Sequence, residues 1–229
     1  EVRTILVEYA RFFFNASQAE QIADGILALE KNWEGSLAEN GAVAATLTLW
    51  QDLEETLPGL ADNWRWQALL VRAYYDAYTR ERLLFETGLE NEANTILAAA
   101  KEIGTGAAMD AALEVLNRTE TEPAAPGLRE RIVSLYDGLF HSIGLKSSVK
   151  KYQASGYERG CSLDFLEYPL NNRWFLEDEF NRIRTLPDET ERARELATLA
   201  AWACPSPGSF YDDIGHPGKS PHLKRLEGL

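Results

Sequence analysis

The residues able to do chemistry cluster in two places. In the stretch YQASGYERGCSLDFLEYPLNNRWFLEDE, residues 152–179, Glu158 stands beside Arg159 and Asp164 stands near Glu167. Close to the C-terminus, Asp212 and Asp213 follow Phe210-Tyr211. Two carboxyls across a cleft can hydrolyse a glycosidic bond when their surroundings split their pKa values. Spacing along the chain does not set that separation, so Glu158, Asp164, Asp212 and Asp213 are catalytic candidates by residue type alone. Tyr157, Arg159 and Tyr211 would line the same pocket. A second chemistry is written into Asn171-Asn172-Arg173-Trp174 and Phe210-Tyr211-Asp212-Asp213, where aromatic rings sit among short amides and acids. Sugars bind to such mixtures, a ring face on an aromatic and hydroxyls on fixed polar groups. The plainer reading is that these side chains lock irregular segments onto helices through bonds to the backbone.

Three histidines, His141, His216 and His222, complete the inventory. His216 and His222 share the tail with Asp212 and Asp213, but an Asp-Asp-x-Gly loop more often builds turns than a metal site. No metal is expected. No Gly-x-Ser-x-Gly elbow, Walker loop, His-Glu-x-x-His or dinucleotide fingerprint is present, and no cofactor is expected. Gly104-Thr105-Gly106 reads as a turn, since no strand precedes it and no Lys-Ser/Thr follows. Cys161 and Cys204 can pair or stay free, and free buried thiols are the simpler reading.

These groups must be held by helices. In chain order, Val2, Ile5, Leu6, Tyr9, Phe12 and Phe13 form an apolar face. Ser17-Gln18-Ala19-Glu20 reads as a capping box for a second helix with Ile22, Ile26, Leu29 and Trp33 in line. A third helix aligns Val43, Leu47, Trp50 and Leu57 before Pro58-Gly59. The fourth, about residues 62–86, aligns Trp66, Leu69, Leu70, Ala73, Ala77 and Leu84 over roughly 35 Å. Beside that face run Trp64, Arg65, Arg72, Tyr74, Tyr75, Asp76, Tyr78 and Arg82, read either as buried tyrosines with Arg–Asp pairs or as a ligand-facing patch. Two alanine-rich helices, about 90–103 and 107–118, precede a linker, TETEPAAP at 119–126. A seventh helix follows with Leu128, Ile132, Leu135, Leu139 and Ile143. After the irregular stretch, Leu176, Phe180 and Ile183 mark an eighth. Asp188, with Glu191 three residues on, caps a ninth.

The expected fold is therefore all-α, about nine helices in antiparallel hairpins with an ordered connector and an irregular C-terminal arm. We expect one helical domain over 1–229: a body at 1–145, a connector at 146–175, and C-terminal helices with the arm at 176–229. A hydrophobic fraction of 45% supports a sizeable core. The net charge of −13 argues against nucleic acid and anionic membrane surfaces as partners. No run of roughly 18 apolar residues suggests membrane insertion.

The connector and the tail CPSPGSFYDDIGHPGKSPHL resemble stretches of large, uncharacterised bacterial carbohydrate-active proteins of glycoside-hydrolase-like type. There, a Pro-Gly-x-Phe-Tyr-Asp-Asp-x-Gly segment closes a helical region. The resemblance implies a helical module excised from a secreted or periplasmic multidomain protein. The first expectation is then a non-catalytic accessory module that either packs on flanking domains of the same polypeptide or contributes aromatic and polar residues to a glycan cleft, for which the candidates by residue type are Tyr157, Arg159, Asn171, Asn172, Arg173, Trp174, Tyr211 and His216. The resemblance transfers no catalytic residue. The alternatives are a self-contained hydrolase or lyase using the acids above, and a purely structural interaction domain.

Overall fold

A computed structural model describes residues 1–15, 17–154, 162–167 and 170–201. Among these residues every regular element is helical, as expected: α1 (Val2–Phe13), α2 (Ala19–Lys31), α3 (Ala42–Thr56), α4 (Trp64–Ala98), α5 (Ala100–Ile103), α6 (Thr105–Thr121), α7 (Pro126–Ile143), α8 (Val149–Tyr152), α9 (Arg173–Arg184) and α10 (Glu189–Ala200). Two 3-10 turns, Pro58–Leu60 and Leu163–Glu167, complete the set.

The chain divides into two units, one of Glu1–Glu81 with Ala125–Glu167, the other of Arg82–Ala124 with the described residues from 170 onward. The chain passes between them within α4, at the linker near Ala125, and inside the connector. Ala125 adopts a left-handed conformation (φ 43°) immediately before Pro126 opens α7.

Each unit has its own core. In the first, α1 packs on α2 and α2 on α3. Trp50 and Trp66 are fully buried and meet edge to face at 5.3 Å. Phe14 adds an edge contact to Trp66, and Trp50 donates its indole N–H to the Gly25 carbonyl. Leu70, Ile132, Leu135 and Leu139 extend this core along α4 and α7. In the second, Leu97, Met109, Leu116, Leu176, Phe180, Ile183 and Leu196 close together. Arg182 there pairs with buried Glu179 (3.0 Å) and with Glu195 (2.6 Å), tying α9 to α10.

Several local expectations are corrected. The fourth helix does not stop near Glu86 but continues to Ala98, roughly 52 Å at 1.5 Å per residue. Gly88 lies inside it with open space around its Cα, and a glycine weakens a helix without ending it. The Ser17 capping box does not form, because the Ser17 N–H and hydroxyl both donate to Asn15 Oδ1. Asp188 does cap α10, accepting from the Thr190 N–H at 3.0 Å. The eighth helix, where Glu177, Asp178 and Glu179 are expected at the N-terminal end to suit its dipole, begins at Arg173, so these acids lie beyond its first turn. Of the apolar face assigned to α1, Val2, Ile5 and Phe12 are exposed and Leu6, Tyr9 and Phe13 are part-buried, while the fully buried residues of α1 are Val7 and Ala10. Leu84 and Ile143, assigned to buried faces, are also exposed.

Candidate functional site

Asp164 belongs to the first unit. Its carboxylate accepts from the Ser148 hydroxyl (2.7 Å) and the Val149 N–H (2.7 Å), while Ser148 Oγ accepts from the Lys151 N–H (2.8 Å). Both oxygens thus serve the first turn of α8, whose N–H groups have no helical partners of their own. The turn is anchored further where Ser147 O accepts from the Leu163 N–H and the Ser162 hydroxyl, both at 2.9 Å. At its other end, Tyr152 stacks on Phe140 with ring centroids 4.3 Å apart and donates to Asp137 Oδ1 at 2.7 Å. Lys151 also bridges Asp137 (2.7 Å). The bond from Lys151, aided by the one from Tyr152, holds the Asp137 carboxyl below the usual range. Burial first, then the bond to Asp137, raises the Tyr152 phenol.

Asn171, Asn172, Arg173 and Trp174 belong to the second unit, where the structure brings them together along α4. The Leu170 N–H donates to Glu86 Oε2 at 2.6 Å, and Asn171 Nδ2 donates to the Glu86 carbonyl at 3.1 Å. One turn on, Glu90 receives both the N–H (2.8 Å) and the Nδ2 (3.0 Å) of Asn172. Asn171 Oδ1 accepts from the Arg173 N–H at 3.1 Å, and the Asn172 carbonyl accepts from the Leu176 N–H, which starts α9. The Arg173 guanidinium reaches Glu120 (2.8 Å) and the Thr119 hydroxyl (3.3 Å) on α6. Glu86 is buried and also accepts from Arg82 Nε at 2.7 Å. The amide donors of this segment are spent on α4. Trp174, the next side chain along, is 52% exposed.

One aromatic–basic group was half legible. Arg72, Tyr75 and Asp76 stood out in the sequence, but their neighbours Asn32 and Trp33 did not. Asn32 Nδ2 donates to Asp76 Oδ2 at 2.9 Å, and the Arg72 guanidinium pairs with Asp76. Arg72 lies 4.9 Å from the centroid of Trp33, which is 41% exposed although the sequence line placed it in the core. Position just past Lys31, the last residue of α2, was the signal that Trp33 could leave the buried face. Tyr74 and Tyr78 are buried. Tyr74 donates to Glu54 Oε2 at 2.7 Å, and burial with that bond pushes its phenol up to about 12.

Glu158, Tyr157, Arg159, Tyr211, Asp212, Asp213 and His216 lie outside the described residues, as do His222, Cys161 and Cys204. His141 is described and holds its Nδ1 2.7 Å from the Asp137 carbonyl. Among the described residues no group of three or more His, Cys, Asp or Glu side chains is placed to hold a metal ion. No described helix is long and apolar enough to cross a membrane. No protein-family model matches the chain, no curated protein matches it, and no solved structure matches its fold.

Proposed function

We propose that the chain is a non-catalytic helical module of a larger, secreted or periplasmic glycan-processing protein, presenting aromatic side chains to a sugar beside the domains that flank it. The observation that carries this reading is the exposure of Trp174, a large ring with half its surface in solvent. Asn171, Asn172 and Arg173 before it hold the segment through bonds within their own unit. Asp164 behaves like the asparagines, its carboxylate taken up by the start of α8. A general acid or base needs an oxygen facing substrate. A sugar platform needs an exposed ring, and Trp174 and, separately, Trp33, with the Arg72 guanidinium 4.9 Å from its centroid, are exposed rings. The resemblance of the connector and tail to carbohydrate-active proteins supports the choice of glycan as ligand.

A glycan array followed by calorimetric titration of the isolated chain tests both halves. The expected result is weak binding to one polysaccharide class that falls at least about tenfold in Trp174→Ala or Trp33→Ala, a loss of about 1.4 kcal/mol. Binding that survives both substitutions removes these rings as the platform. Turnover of glycoside substrates by the isolated chain contradicts the non-catalytic half.

A further inference from the structure

The sequence holds a single Asn-Gly pair, Asn40-Gly41, in the turn between α2 and α3. An asparagine before glycine readily loses its amide, because no Cβ shields the following backbone nitrogen. The turn itself does not call for the glycine. Gly41 has φ −67° and ψ −17°, open to any L residue, and a Cβ built on it would meet nothing within 4 Å. Gly41 is exposed, and no described carbonyl accepts from its N–H. The side chain that this nitrogen would attack is held at both ends. Asn40 Nδ2 donates to the Lys31 carbonyl at 2.8 Å and to the Glu34 carbonyl at 3.1 Å, while Oδ1 accepts from the Ala42 N–H at 2.9 Å. One amide thus clasps the end of α2 to the start of α3, across the turn that carries Trp33.

We propose that Asn40 is a site of spontaneous deamidation which the fold holds in check, and that its conversion releases the clasp. The Gly41 nitrogen, its proton taken by solvent base, bonds to Asn40 Cγ. The Cγ–Nδ2 bond breaks, and the nitrogen leaves as ammonia. Water then opens the resulting cyclic imide at either carbonyl, leaving aspartate or isoaspartate. One water is taken up for each ammonia released. Departure of Nδ2 requires it to leave both carbonyls, so in the folded chain the reaction waits for the turn to open. The product cannot restore what was lost. An aspartate keeps an oxygen for the Ala42 N–H, at a helix start that favours negative charge. It has no hydrogen to give the Lys31 and Glu34 carbonyls and faces them as an acceptor. Isoaspartate also adds a carbon to the main chain inside the turn. The step therefore runs one way and loosens residues 31–34. Trp33 lies within that segment, but the proposal does not rest on a glycan being its ligand.

Peptide mapping by mass spectrometry tests the chemistry, on the folded chain and on the urea-unfolded chain incubated in the same mildly alkaline buffer. Aspartate and isoaspartate should accumulate at position 40 in both. The folded chain should convert at least about tenfold more slowly, the least that a clasp of three hydrogen bonds should impose. Gly41→Ala should leave circular dichroism unchanged and the urea midpoint no lower, yet convert far more slowly even when unfolded. The consequence is read by hydrogen exchange at Trp33 and Glu34, whose N–H groups donate to the Glu30 and Lys31 carbonyls. Asn40→Asp should speed both at least about tenfold while Ala42 stays protected. The aged natural chain, its deamidated fraction separated by anion exchange, gives the same reading without a variant. Equal rates in the folded and unfolded chains overturn the protective clasp, and no conversion in the unfolded chain removes the site. Unaltered exchange at Trp33 and Glu34, in Asn40→Asp and in the aged fraction, overturns the release.

Discussion

Replacing Asn171 with alanine isolates the bond pattern that fastens the connector to α4. The side chain is buried, donates to the Glu86 carbonyl at 3.1 Å and accepts from the Arg173 N–H at 3.1 Å. Each neutral hydrogen bond contributes about 1 kcal/mol net, and Ala also leaves the first N–H of α9 unsatisfied. The second unit should lose about 2 kcal/mol in total. At about 1.4 kcal/mol per factor of ten, that is roughly thirtyfold faster hydrogen exchange at α9 amides that open with the unit. Urea titration followed by circular dichroism gives the free energy, and exchange mass spectrometry locates it. Asn171→Asp is the internal control. It keeps the acceptor for Arg173 but turns the donor into a carboxylate oxygen facing the Glu86 carbonyl, with the acids of Glu86 and Glu90 nearby. It should therefore destabilise at least as much as Ala at neutral pH and recover in acid. A loss below about 0.5 kcal/mol for Asn171→Ala, the range of an inert surface change, with α9 exchange unaltered, refutes the reasoning.

Two glycines in helices should respond to alanine with opposite signs. A Cβ on Gly25 would stand 2.9 Å from Leu49 Cδ2 and 3.1 Å from Trp50 Cζ2, so overpacking of about 1–3 kcal/mol should outweigh the gain in helix propensity. Gly88→Ala meets nothing within 4 Å and should stabilise by about 0.5–1 kcal/mol; urea midpoints decide both. The depressed carboxyl of Asp137 gives stability that is full above its unfolded pKa and lost as pH falls through its folded one. Asp137→Asn should therefore flatten the acid limb of the stability–pH curve. Tyr74 behaves in reverse: with its phenol pushed up to about 12, its contribution is complete below the unfolded value and is lost as pH rises towards 12. An ultraviolet titration should show late-ionising tyrosines, Tyr152 among them, and one fewer of them in Tyr74→Phe.

Periodicity was enough to read the helices but not their orientation. The Leu176–Phe180–Ile183 line is buried as expected, because these apolar residues recur at helical spacing along one side of α9. In α1 apolar residues lie on two sides, and only packing on α2 chooses Val7 and Ala10 over Ile5 and Phe12. A cap could be read where a single side chain was available, as at Asp188. It could not at Ser17, where Asn15 competed for the same donors. Asp164 shows why site residues are harder. A carboxylate that joins the start of a short helix 15 residues upstream looks, by type alone, the same as one awaiting a substrate. The Asn171-Asn172 pair was legible as either a lock or a sugar contact, and their partners, Glu86 and Glu90, stand more than 80 residues away in sequence.

Three backbone amides report most directly on whether the connector's described residues are fastened to the helices by side chains that resemble catalytic or binding groups. Val149 donates to Asp164, Leu170 to Glu86 and Asn172 to Glu90. Residue-resolved hydrogen exchange by NMR should find all three protected, with Asp164→Asn weakening protection at Val149 alone. Exchange at the rates of an unstructured peptide at these positions would contradict the account.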